Sequence, residues 1–116
     1  MPAATIILHI ATTQAWDEAQ REGEYTADSL ATEGFIHCST PEQIVGVFMD
    51  RFRGRDDLTI LIINPAKVRA DIVYEDCYET GQKFPHIYGP LNLDAVQGTA
   101  LLPPDEDGFF ALITGL

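Results

Sequence analysis

Cysteine, histidine and positive charge are all scarce in this 116-residue chain. Two cysteines, Cys38 and Cys77, are too few for the disulfide framework of a small secreted scaffold. One Cys38–Cys77 bridge is chemically allowed but not expected in a reducing compartment. No Cys-x-x-Cys, His-x-His or His-x-x-x-His spacing occurs, so no bound metal is expected. Seven basic residues stand against 18 acidic ones, for a formal net charge of -11. A field of that sign repels nucleic acid and anionic membrane surfaces, so neither is an expected partner. It leaves room for a small phosphorylated ligand at one local basic spot. Neither a G-x-G-x-x-G nor a G-x-x-x-x-G-K phosphate loop is present. No apolar run is long enough to cross a membrane, and residues 1–16 carry no basic leader. The chain therefore reads as cytoplasmic, with its oligomeric state open.

What is present suits one α+β domain over residues 1–116. Hydrophobic residues make up 46% of the chain, enough for a real core. Residues 5–10 read as a strand. Thr12-Thr13 then cap a helix from Gln14 to Glu22 that Gly23 ends, with Ala15, Trp16 and Ala19 as its apolar stripe. Asp17 and Glu18 suit the positive end of its dipole. Tyr25 to Glu33 reads as irregular, with one short turn at Asp28–Ala31. Gly34 to Ser39 is a short strand. Thr40, Pro41 and Gln43 form a capping box for a second helix, with Ile44, Val45, Val47, Phe48 and Phe52 at helical spacing and Gly54 at its end. Leu58 to Ile63 is almost entirely apolar and so reads as a central strand buried on both faces. Asn64-Pro65 turns the chain, and Ile72–Glu75 is a further strand. Asp76–Pro85 is a loop, and Val96–Leu102 and Phe109–Ile113 form a closing hairpin. The expected architecture is a largely antiparallel sheet system with two main helices.

All three histidines sit in short apolar runs: TIILHIAT, GFIHCST and FPHIYGPLN. Strand alternation puts His9 opposite Ile6, Leu8 and Ile10, and His37 opposite Ile36 and Cys38. It puts His86 and Tyr88 together, opposite Ile87. The three rings are expected to open on one cleft. A neutral imidazole donates from one nitrogen and accepts at the other, which suits ribose hydroxyls or phosphate oxygens. Pro85, Gly89 and Pro90 suggest a rigid, non-regular path around His86 and Tyr88, with Tyr88 placed to stack on a planar ring. The helix start at Thr40 offers backbone N–H groups to an anion, or simply a capping box. Cys38 faces away from His37, so it reads as a buried apolar residue and not as a nucleophile. Glu75 closes the strand IVYE at its junction with a loop, a place where enzyme sites often put a carboxylate.

These motifs, taken in order, resemble domain-of-unknown-function family 952, a set of small, mostly bacterial proteins. The matching pieces are L-H-I, Trp16, Gly23-x-Tyr25, G-F-I-H-C-S-T with Gln43, L-T-I-L-I-I-N-P, V-Y-E, F-P-H-I-Y-G-P-L-N and D-G-F at Asp107 to Phe109. The resemblance implies an ADP-ribosyltransferase-like fold, with two small antiparallel sheets split around a cleft for NAD. It implies an enzyme, or a degenerate one, acting on NAD or a related nucleotide. Glu75 and His37 would then carry the chemistry, with Glu75 as the late acid that stabilises an oxocarbenium-like transition state. His9, Ser39, Thr40, His86 and Tyr88 would hold the ligand. The alternatives are a non-catalytic nucleotide or small-ligand binding module and, last, a metal-dependent hydrolase.

Overall fold

A computed structural model describes residues 6–76 and 81–102, together with 107, 108 and 111. Its order is β1 (Ile7–Thr12), α1 (Thr13–Glu22), β2 (Glu24–Tyr25), α2 (Asp28–Thr32), β3 (Ile36–His37), α3 (Ile44–Arg51), β4 (Leu58–Ile63), β5 (Asp71–Glu75), β6 (Phe84–Tyr88), β7 (Leu91–Asn92) and β8 (Val96–Leu101). Single 3-10 turns follow β4 and β7. The expected α+β class holds, and every strand pairing among the described residues is antiparallel.

Three sheets result. One has the order β1-β4-β8, one the order β3-β6-β5, and β2 pairs with β7 alone. β4 is the middle strand its composition predicts. Leu61 and Ile63 face one core cluster with Trp16, Tyr25, Ile36 and Ile87. Leu58 and Ile60 face a second cluster with Leu8, Ile44, Phe48 and Leu102. Each such fully buried aliphatic side chain contributes roughly 1.5–3 kcal/mol. Sandwiched between α3 and the main core, the β1-β4-β8 sheet is the fixed wall against which the candidate site is built.

α1 forms as expected. The Thr12 hydroxyl accepts the Ala15 N–H, and Gly23 takes a left-handed φ of 92° that a side chain would resist. Asp17 and Glu18 lie beyond the first turn, so the predicted dipole pairing is not made there.

Four other expectations change. Tyr25 is not in an irregular segment: it is buried and paired with Leu91, and the helix after it runs to Thr32. α3 starts at Ile44, preceded by a turn over 41–43, and ends at Arg51. Half of the capping box is present, because Gln43 Oε1 accepts the Thr40 N–H at 3.1 Å, but Thr40 makes no capping bond. FPHIY is no irregular loop: it is the regular middle strand of its sheet, with Pro85 in register opposite Tyr74. The rigid turn comes just after it, where a Cβ at Gly89 would meet the Ala70 Cβ at 2.9 Å. Lastly, β8 pairs with β4, and Ala111 in the expected second hairpin arm has helical backbone. The rest of that arm, apart from Ala111, lies outside the described residues, as does Cys77. No described helix is long and apolar enough to cross a membrane.

Candidate functional site

The site begins where two strands part. β1 and β3 touch through one bridge, where Leu8 and Ser39 exchange N–H···O bonds of 2.7 Å each way. A continued antiparallel ladder would set Ile10 opposite His37. That pair does not form. The His37 carbonyl instead accepts a hydrogen bond from His9 Nδ1. His9 thus replaces a ladder bond with a side-chain bond and holds the two sheets apart. A carbonyl only accepts, so Nδ1 carries the proton. Nε2 of the neutral ring then accepts from the Tyr25 hydroxyl at 2.8 Å. Burial drives the His9 pKa down from 6.5 to about 4; the backbone bond to His37 opposes the shift, and charge on His37 adds to it. Both ring nitrogens are satisfied, and His9 shares its strand face with core residues Ile7 and Ala11.

The other two rings meet on the outer face of the β3-β6-β5 sheet. His37 and His86 are opposite each other in register, with ring centroids 5.2 Å apart. Phe35 stacks on His86 at 4.1 Å and 15° and packs edge-on against His37 at 4.9 Å. His86 is left only 1% exposed. Its Nδ1 donates to Glu75 Oε1 at 2.8 Å, and the Tyr88 hydroxyl donates to that same oxygen. These two bonds, Tyr88 first and His86 second, hold the Glu75 carboxyl below the ordinary carboxylate range. Glu75 is therefore an anion at neutral pH, and because a carboxylate only accepts, Nδ1 of His86 carries the proton of their shared bond. His37 Nε2 lies 2.9 Å from Glu33 Oε2 at the end of α2. The face carries two imidazole–carboxylate pairs side by side.

Two adjoining cavities open between these rings and α3. The first, about 220 Å³, has His37, Ser39, Gln43, Asp50, Gln82 and His86 among its walls. The second, about 160 Å³, lies against the β1–β3 split and is lined chiefly by Leu8, Ile10, Ile44, Val47 and Phe52. His37, Ser39, Val47 and Arg51 belong to both. Each is smaller than the 300–1,000 Å³ common for a drug-sized ligand. Gln43, on the wall of the first cavity, donates from Nε2 to the Lys83 carbonyl at 2.7 Å while its Oε1 accepts the Thr40 N–H.

The expected residues thus divide. His37, Ser39 and His86 come together on one wall. His9 stands on the second cavity but is spent on internal bonds. Glu75 and Tyr88 support His86 from behind, and neither cavity has them or Thr40 on its wall. Cys38 is a buried free thiol whose pKa burial pushes up, as its strand face implied. Sequence reading missed Phe35, Glu33, Gln43 and Arg51 as members of the site. Phe35 lies within the expected strand Gly34–Ser39, just ahead of the observed β3, but its stacking on His86 bridges 51 positions of sequence, and nothing local announces it. No group of three metal-ligating side chains gathers among the described residues.

Comparison with known proteins gives one family. Residues 10–99 match the model of the family described as protein of unknown function (DUF952). The crystal structure of protein CC0527 from Caulobacter crescentus superposes with a TM-score of 0.83 at 30% identity, covering 95% of this chain and 99% of that one. The solution NMR structure of CC0527 gives 0.79 at 32% identity, with 97% of each chain covered. No curated protein matches the chain.

Proposed function

The chain belongs to the DUF952 family of proteins of unknown function, and on that premise we propose that its cleft takes a nucleotide of the NAD type and that His86 acts on it. One observation carries this reading: a buried imidazole on a cavity wall whose far nitrogen is held by an ionised carboxylate. That arrangement fixes the tautomer, so Nε2 is the accepting nitrogen, and it stabilises the imidazolium that forms when Nε2 takes a proton. Two small antiparallel sheets held apart at His9 also support an ADP-ribosyltransferase-like reading of the fold. In the proposed reaction the bond from ribose C1′ to the nicotinamide nitrogen breaks, and nicotinamide leaves with the electron pair. Water attacks C1′, and its proton passes to His86 Nε2. Glu75 is a positioning residue here, and its negative charge also favours the developing ribosyl cation.

A non-catalytic binding module is the second reading. It is favoured by the Phe35 ring, which covers His86 almost completely. Incubation with NAD, followed by assay of nicotinamide release, separates the two. Turnover that falls roughly a hundredfold or more in Glu75→Gln, with binding nearly intact, supports the enzyme. Binding of NAD or ADP-ribose without turnover supports the module. Failure of both ligands to bind at millimolar concentration ends the nucleotide proposal.

A further inference from the structure

The two cavities differ in chemistry, and the difference assigns the ends of the ligand. This inference rests on the nucleotide reading above. Both cavities have mostly apolar walls, but the one at His86 carries more polar side chains, among them the Asp50 carboxylate, Ser39, Gln43 and Gln82, beside Val47 and Phe84. The cavity beneath α3 is walled mainly by aliphatic side chains and Phe52. Arg51, in the last turn of α3, borders both. Its guanidinium has five N–H donors in a planar fork, so it serves several acceptors at once and suits phosphate oxygens.

We infer that the site is bipartite: the aliphatic cavity under α3 takes the neutral adenine of a dinucleotide, Arg51 takes the bridging pyrophosphate, and the cavity at His86 takes the nicotinamide riboside. Charge sets the direction. The oxidised nicotinamide ring is a cation, which the Asp50 carboxylate on the cavity wall favours and an aliphatic cavity would penalise. Adenine is planar and uncharged, and an apolar slot bordered by Phe52 buries its faces without removing an ion from water. Each cavity is smaller than the range for a drug-sized ligand, so a whole dinucleotide would have to span both. The chain's net charge of -11 makes a local cation necessary for a pyrophosphate to settle at all.

Amide and imidazole NMR shifts of the full chain, titrated with adenosine, nicotinamide riboside, ADP-ribose and NAD, test the division. Adenosine is expected to shift Ile10, Ile44 and Phe52, which line only the α3 cavity, and nicotinamide riboside to shift Gln82 and His86, which line only the other. Arg51→Gln, at an exposed position, is expected to weaken ADP-ribose and NAD about tenfold or more while leaving both nucleosides within twofold. NAD that shifts His86 while adenosine leaves the α3 cavity untouched overturns the division and spares the nucleotide reading. Unchanged NAD affinity in Arg51→Gln overturns the pyrophosphate assignment in the same way. If none of the four compounds shifts His86 at millimolar concentration, the nucleotide reading fails and the division fails with it.

Discussion

Glu75 Oε1 receives two hydrogen bonds from neighbouring strand β6, one from His86 Nδ1 at 2.8 Å and one from the Tyr88 hydroxyl. Alternate residues of one strand thus converge on a single oxygen of the next. Tyr88 is the larger cause of the lowered Glu75 pKa. Tyr88→Phe is therefore expected to raise the Glu75 pKa toward the ordinary carboxylate value, read by carboxyl carbon NMR. The folded pKa is depressed, so this group stabilises the fold above the carboxylate range and loses that contribution as pH falls through it. The variant should show a weaker acid dependence of stability. An unmoved Glu75 titration would refute the role given to Tyr88.

His9 carries a larger pH signature. Its folded pKa of about 4 lies below the unfolded value of 6.5, so the unfolded chain binds the proton first. Stability is fully present above pH 6.5 and is lost as pH falls from there toward 4. The loss from this residue is about 3 kcal/mol. Proton–nitrogen correlation spectra should show Nδ1 protonated and the ring neutral down to the folded pKa. A ring that titrates near 6.5 would refute the buried, doubly bonded description.

The His9–Tyr25 bond ties β1 to β2 across 16 positions. Tyr25→Phe leaves a buried acceptor on His9 without its donor, at a cost of about 1–3 kcal/mol in urea unfolding. In a double-mutant cycle with His9→Phe, the coupling is expected to be about 0.5–3 kcal/mol. Additive losses would show that the two side chains stabilise the fold independently.

Cys38 is 3% exposed in the main core, and burial disfavours its thiolate. In a Cys77→Ser background, a thiol reagent is expected to label Cys38 only as the chain unfolds. Labelling of the native protein as rapid as that of the unfolded chain would overturn this.

Gly89→Ala forces a new Cβ to 2.9 Å from the Ala70 Cβ. Overpacking of that kind costs about 1–3 kcal/mol. Thermal unfolding measures it, and an unchanged midpoint would show that the 70s segment yields without cost.

Much of this protein is written in local pattern. Leu58–Ile63 is apolar at every position but Thr59, and such a strand is stable only between two others, which is where β4 lies. Thr12 and Gly23 bound α1 because a hydroxyl and a left-handed glycine satisfy helix ends regardless of what packs nearby. Period-two alternation sufficed to put His86 and Tyr88 on the face opposite Ile87. Tertiary structure alone decided how each histidine is used. His9 and His37 share the same alternation, yet His9 became a buried spacer between strands because Tyr25 and the His37 carbonyl arrived from 16 and 28 positions away. Glu75 and His86 met because β5 and β6 pair in a register that strand pairing sets. Gln43 looked like half of a capping box and also became a tie to Lys83, 40 positions on. A side chain's local face follows from the covalent geometry of its own strand. Its partner follows from which distant segments the chain brings beside it, and that is settled only by the burial and pairing of the whole domain.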